Sequence, residues 1–276
     1  MDTGFPDSDS RDDFSRARRR YVGGALAARL RGRGDLNVML PFDEVVSALG
    51  YRGERSRGRQ QVPLDAIVGS VDRLNGFDRR FRPASAVARD RFERISAAQR
   101  RGQDMPPIQV YRVGEAHFVR DGHHRVAVAR ALGRSDIAAF VTEILTQVGA
   151  STTLRISDLP LKSHQRLFAE RVPLSAGMLS QLTLTDPWDY ALLAEGVEAW
   201  GFRVMQERGE FLSRETVAAT WFREQYAPGL ALMREAGLLG GATDTEVYLR
   251  LSAERYRILH SQHWDEQVIE TLRQAR

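Results

Sequence analysis

The chain of 276 residues contains no cysteine. Disulfides, thiolate zinc sites and every mechanism built on a cysteine nucleophile are therefore excluded. Lysine is almost missing too, since Lys162 alone among the 40 basic residues is not arginine. It does not follow the glycine pattern of a Walker phosphate loop, so that way of holding a triphosphate is absent. No Gly-x-Ser-x-Gly elbow marks a serine hydrolase. No window holds the ~18 uninterrupted apolar residues that a membrane helix needs. The opening MDTGFPDSDSRDD is acidic where a secretory leader is basic and then apolar, so the expected location is the cytoplasm, with no membrane partner.

What remains is a chain with 42% hydrophobic residues, enough for one large domain or two modest ones. The net charge of +4 is unevenly spread: residues 1–150 carry 26 arginines against 19 acids, and the rest 14 basic against 17 acidic residues. The basic first part suits an anionic ligand, with DNA or RNA among the candidates, although a basic face is more often solvated surface.

Residues 1–13, acidic and without apolar periodicity, are expected to be a disordered tail. Residues 14–59 read as an N-terminal helical segment followed by an Arg-rich loop. One helix puts Phe14, Ala17, Tyr21 and Ala25 on one face. A second starts after Pro41 and stops at Gly50, and YRGERSRGRQQ then reads as a loop, solvated or phosphate-contacting. From residue 60 strands and helices alternate: QVPLDAIVGS opens as a strand, ARDRFERISAAQRRG is a helix, and PPIQVYRVG with AHFVRD is a hairpin turning at Gly114-Glu115. HRVAVARALG is a helix and IAAFVTEIL a last strand. Residues 147–276 read as helical, with helix starts at Asp186, at Ser213, and at Thr243 with Glu246 in capping-box spacing. All four tryptophans lie in this last region. The expected class is α+β.

The densest chemistry is Asp121-Gly122-His123-His124-Arg125, where strand HFVRD passes into a helix. A helix start offers unpaired N–H groups and a positive dipole end, which attract anions. Gly122 lets a ligand approach the backbone, Arg125 can fork onto phosphate oxygens, and the histidines add donors. Asp121 can cap the helix, orient a histidine or hold magnesium. Arg125 sits on the first turn, where no core packing is expected to depend on it. The plainer alternative is a well-capped helix start.

Residues 60–146, from VPLDAIVGS through DGHHRVAVARALG to the strand IAAFVTEI, resemble the ParB/sulfiredoxin superfamily. Asp121, Gly122, His124, Arg125 and Ala129 carry the family's Asp-Gly-x-His-Arg-x-x-x-Ala core. That resemblance implies a small mixed-sheet nucleotide-binding domain taking ATP or CTP with Mg2+, because relatives include CTP-hydrolysing partition proteins, sulfiredoxins and free-serine kinases. It also implies that the loop GSVDRLNGFDRRFRP faces the turn. Ser70 and Arg73 would then join Gly122, His123, His124 and Arg125 around the nucleotide, and Asp72 would stand beside Asp121 as the catalytic pair, with Asp121 on the metal. A polar surface loop is the other reading of that stretch.

Two departures narrow the resemblance. Sulfiredoxin chemistry needs a cysteine this chain lacks, and no helix-turn-helix of the partition proteins follows in residues 147–180. The expectation is a Mg2+-dependent nucleotide hydrolase or small-molecule kinase. The alternative is a non-enzymatic, DNA-associated or partition-related regulator. The C-terminal helices would bind a protein partner or a second copy of the chain. His260, His263 and Asp265 have helical spacing that could bind a metal, but such a pair is more often a packing or surface feature.

Overall fold

The computed structural model describes residues 4–30, 37–72, 74–260 and 263–274. Arg73 lies outside them. The chain divides into two compact units, Met1–Leu159 and Pro160–Arg276, and the class is α+β.

The first unit is built on a six-stranded mixed sheet ordered β1-β3-β5-β4-β6-β2. Its strands are β1 (Leu40–Pro41), β2 (Tyr51–Pro63), β3 (Ile67–Ser70), β4 (Ile108–Val113), β5 (Ala116–Asp121) and β6 (Asp136–Thr146). Side chains alternate across it. Ile108, Val110, Val119, Ala139 and Val141 join one core with Phe14, Phe92 and Val126 from helices α1 (Pro6–Leu30), α3 (Arg89–Arg100) and α4 (His123–Ala131). Val113, Phe118 and Ile144 point to the opposite face, against Leu49 of α2 (Phe42–Leu49). That second core also takes in Val148, Ala150, Leu154 and Leu159. The unit therefore runs on beyond the expected boundary at residue 146, because these apolar residues have their partners in the sheet.

Two expectations are corrected. The tail expected over residues 1–13 is largely helix, since α1 begins at Pro6 with Asp7 and Asp9 in its first turn. A proline and acids suit a helix start. Its hold is tertiary: buried Asp13 accepts from Ser96 Oγ and Arg100 Nε of α3, both at 2.9 Å. The Arg-rich stretch is not a loop but β2, paired antiparallel with β6 over its length. Nearly every residue of it is exposed, so it lacks the apolar alternation that marks a strand in sequence. Backbone pairing and ion pairs such as Arg57–Glu143 hold it.

The second unit is helical: α5 (Leu159–Arg171), α6 (Ala176–Leu179), α7 (Asp189–Arg208), α8 (Arg214–Trp221), α9 (Ala227–Glu235), α10 (Asp244–Leu259) and α11 (Glu266–Gln274). Ser213 caps α8 through the Thr216 N–H, and Thr243 with Glu246 forms the capping box of α10. Asp186 accepts from the Trp188 N–H one turn ahead of α7. Trp200 and Trp221 are core, Trp264 packs against it, and Trp188 is exposed. His260 closes α10 with φ 48°, and Asp265 accepts from the Val268 N–H at the start of α11. Both have structural roles there. Among the described residues no helix is long and apolar enough to cross a membrane.

Candidate functional site

Strands β3 and β5 are adjacent and parallel, with Ser70 in register with Val119. Their carboxyl ends thus emerge side by side, the usual place for a ligand beside parallel strands. Asp72 follows β3 and Asp121 ends β5, and the two line one cleft of about 190 Å³ with Gly122, His123, His124 and Arg125. The structure thus brings together the described site residues that the sequence singled out, with Ser70 just beneath. Arg73 falls outside the described residues.

The cleft floor is the start of α4. Its N-cap, Gly122, makes no side-chain cap, and the first helical bond back is from the Val126 N–H to the Gly122 carbonyl at 3.0 Å. The N–H groups of His123, His124 and Arg125 precede that bond, so the helix itself offers them no acceptor. Two further cations line the cleft: Arg91 from α3 and Arg120 from β5. Sequence reasoning missed both. Arg120 touches the motif but was read as strand, and Arg91 sits in a helix with no local signal, joined to the site only by packing.

Several motif residues do something other than what their chemistry suggests in isolation. Gly122 has φ 107°, which disfavours any side chain. A Cβ there would also collide with Ile108, 2.8 Å from that residue's Cβ. Backbone conformation and Ile108 both require the glycine, without any ligand. His123 and His124 are buried, at 6% and 8% exposure. His123 Nε2 lies 2.6 Å from the Oγ of fully buried Ser70 and its ring stacks near Phe77, while His124 meets Phe77 edge-on at 5.2 Å. The pair therefore packs the turn onto the 70–81 loop.

Arg125 Nη1 donates to the carbonyls of Pro106 (2.5 Å) and Pro107 (3.0 Å), and Nη2 to Asp121 (2.5 Å). Arg125 thus has a structural role outside the core as well: it ties the 106–107 segment to the helix start. A larger cleft of about 580 Å³ opens beyond it, lined by Gln61, Gln99, Gln103, Pro106 and Asp136 among others, and Arg125 borders both.

Asp72 and Asp121 are the carboxylates of the small cleft. Among the described residues no group of three or more histidines and acids converges on one point. Magnesium needs only one or two carboxylates when phosphate oxygens and water complete its shell. The two aspartates fit that requirement, and they do not make an all-protein metal cage.

No family model, no curated protein and no solved structure matches this chain.

Proposed function

We propose that the first unit binds a nucleoside triphosphate, ATP or CTP, with its phosphates at the start of α4, in a domain of ParB/sulfiredoxin type. One observation carries this reading: the start of α4 opens into a cleft at the carboxyl ends of two parallel strands, with Arg91 and Arg120 on its walls. The positive end of the helix dipole and two arginines together make an anion site. Its 190 Å³ suits a phosphate chain, and the larger cleft across Arg125 has room for the nucleoside.

Phosphate hydrolysis or transfer belongs to the same proposal. Arg91 and Arg120 would hold the phosphates, and Asp72 and Asp121 would hold Mg2+ or orient the attacking hydroxyl. When bound, the ion would neutralise charge on the phosphoryl group in flight. Thermal shift of the full chain with ATP, CTP, GTP and UTP, with and without magnesium, tests the binding. The expected outcome is a melting temperature raised by ATP or CTP and no rise in the Arg91→Gln/Arg120→Gln protein. No shift with any nucleotide, or an equal shift in that variant, overturns the assignment. For the chemistry, phosphate release should fall in Asp72→Asn and Asp121→Asn proteins, and unchanged rates in both remove these residues from it.

A DNA-associated regulator is the second reading, favoured by a cleft of about 520 Å³ lined by Arg16, Arg20, Arg80, Arg82, Arg130 and Arg134. Salt-sensitive retention of duplex DNA without nucleotide would favour it. In either reading the second unit would serve a protein partner or a second copy, for which exposed Trp188, Phe202 and Phe211 offer apolar surface.

A further inference from the structure

The second unit contains a cavity that nothing above uses. It lies among α7, α8 and α10, measures about 310 Å³, and is walled by apolar side chains including Leu193, Val197, Trp200 and Trp221. Two arginines, Arg203 of α7 and Arg255 of α10, also line it. Arg255 is only 5% exposed, and its Nε and Nη1 are buried without a hydrogen-bond partner. Arg203 Nη2 is in the same condition.

A buried guanidinium is ordinarily matched by an acid, because an unpaired charge out of water is costly. Here the groups acting on Arg255 are the phenol of Tyr248 and the like charge of Arg203. Burial raises the Tyr248 phenol, so it stays neutral and supplies no counter-charge. The acid that acts on Arg203 is Glu207, which is exposed and forms no ion pair with either arginine. Burial pulls Arg255 down to about 10, which still leaves it cationic at neutral pH. The face of Trp264, with Arg255 4.0 Å from its ring centroid, holds the guanidinium flat but brings no negative charge.

We propose that this cavity binds a small apolar carboxylate, its two oxygens held by Arg255 and Arg203 and its hydrocarbon or aromatic body against Leu193, Val197, Trp200 and Trp221. A planar carboxylate matches the fork of a guanidinium. A monoanion suits these walls better than a phosphate, whose second charge would have to be desolvated among apolar side chains. At roughly 20–30 Å³ per heavy atom the cavity holds about 10–15 of them, the size of a medium-chain or phenyl-substituted acid. Leu192 and Tyr256, both more than half exposed, stand at the mouth, which leaves an entry path.

The test uses the full chain, titrated with octanoate, with 3-phenylpropionate and with octanamide, which matches octanoate in shape without the charge. Calorimetry and tryptophan fluorescence are the readouts, since Trp200 and Trp221 line the site. Saturable one-to-one binding of an acid is expected, with octanamide at least tenfold weaker than octanoate because a charged hydrogen-bonded pair is lost. Arg255→Met, which keeps an apolar stem against Trp264, should weaken acid binding by a similar factor. Gly196→Leu gives a second, independent check. Gly196 lines the cavity with open space where its Cβ would stand, so leucine there should fill the site and abolish binding without disturbing the helix. Octanamide binding as tightly as octanoate, no binding by either acid, or undiminished binding in folded Gly196→Leu protein each overturns the proposal. The nucleotide assignment is untouched by any of these results, because the two sites share no residue.

Discussion

Replacing Arg125 by alanine separates the structural part of the motif from its ligand-binding part. The substitution removes three hydrogen bonds: two to the carbonyls of Pro106 and Pro107, and one to Asp121. The Asp121 side chain is 58% exposed, so its share is that of a surface ion pair, under about 1 kcal/mol. The carbonyl bonds come from a side chain that is itself only 14% exposed, and each contributes about 0.5–1.5 kcal/mol net. Together the loss is about 1–4 kcal/mol, at roughly 2–4 °C of melting temperature per kcal/mol in a unit of this size. Asp121→Asn keeps both carbonyl bonds and should cost less than about 1 kcal/mol. Scanning calorimetry and denaturant unfolding of both variants give the comparison, with tryptophan fluorescence following the second unit, where all four tryptophans lie. A folded Arg125→Ala protein within about 0.5 kcal/mol of wild type would refute the tether and restore Arg125 to a residue free for ligand alone.

A pH effect centres on His117 of β5. Burial, helped by the charge of Arg112, lowers its imidazole from 6.5 to about 4, so the folded protein keeps it neutral while the unfolded chain takes up a proton below about pH 6.5. The stability tied to that neutral form is complete above pH 6.5 and is lost as pH falls toward 4; between pH 7.5 and 5 the loss is about 2 kcal/mol. Urea unfolding at both values should show a pH dependence smaller by that amount in His117→Gln, and an equal dependence in the two proteins would discount His117. Two glycines of α7 should respond in opposite ways. Gly196→Ala, with open space at its Cβ, should stabilise by about 0.5–1 kcal/mol. Gly201→Ala, whose Cβ would run into Val217 of α8, should destabilise by about 1–2 kcal/mol despite the same helix gain. If melting curves show both changes stabilising, α7 and α8 are less closely packed at Gly201 than described. Gly122→Ala should cost about 2 kcal/mol or more from positive φ and the collision with Ile108, and a neutral effect on unfolding would show that the turn relaxes.

Local pattern was legible wherever one face of an element is buried. The alternation in Ile108–Val113 and Ala116–Asp121 and the turn at Gly114-Glu115 mark a hairpin that β4 and β5 form. Thr243 with Glu246, and Ser213 before its helix, mark starts whose hydrogen bonds are local and therefore present in the sequence itself. The junction at Asp121–Arg125 was legible as a strand passing into a helix, because glycine, helix formers and apolar spacing all act over a few residues. Other features depend on partners far along the chain. Strand β2 is exposed on nearly all its residues, so its pairing with β6, and not its own pattern, makes it a strand. The first turns of α1 are secured by Ser96 and Arg100 of α3. Residue types alone made His123, His124 and Arg125 ligand donors, whereas packing on Phe77, Ser70 and the 106–107 carbonyls engages their side chains within the protein. Arg91 reaches the cleft only because α3 packs beside α4, and the unmatched charge of Arg255 exists only because folding buries it where no acid among the described residues pairs with it. The sequence by itself determined the short-range elements, whose causes are propensity, caps and periodicity; the tertiary structure decided which polar groups stayed open to a ligand, because burial and long-range pairing depend on residues that only folding brings together.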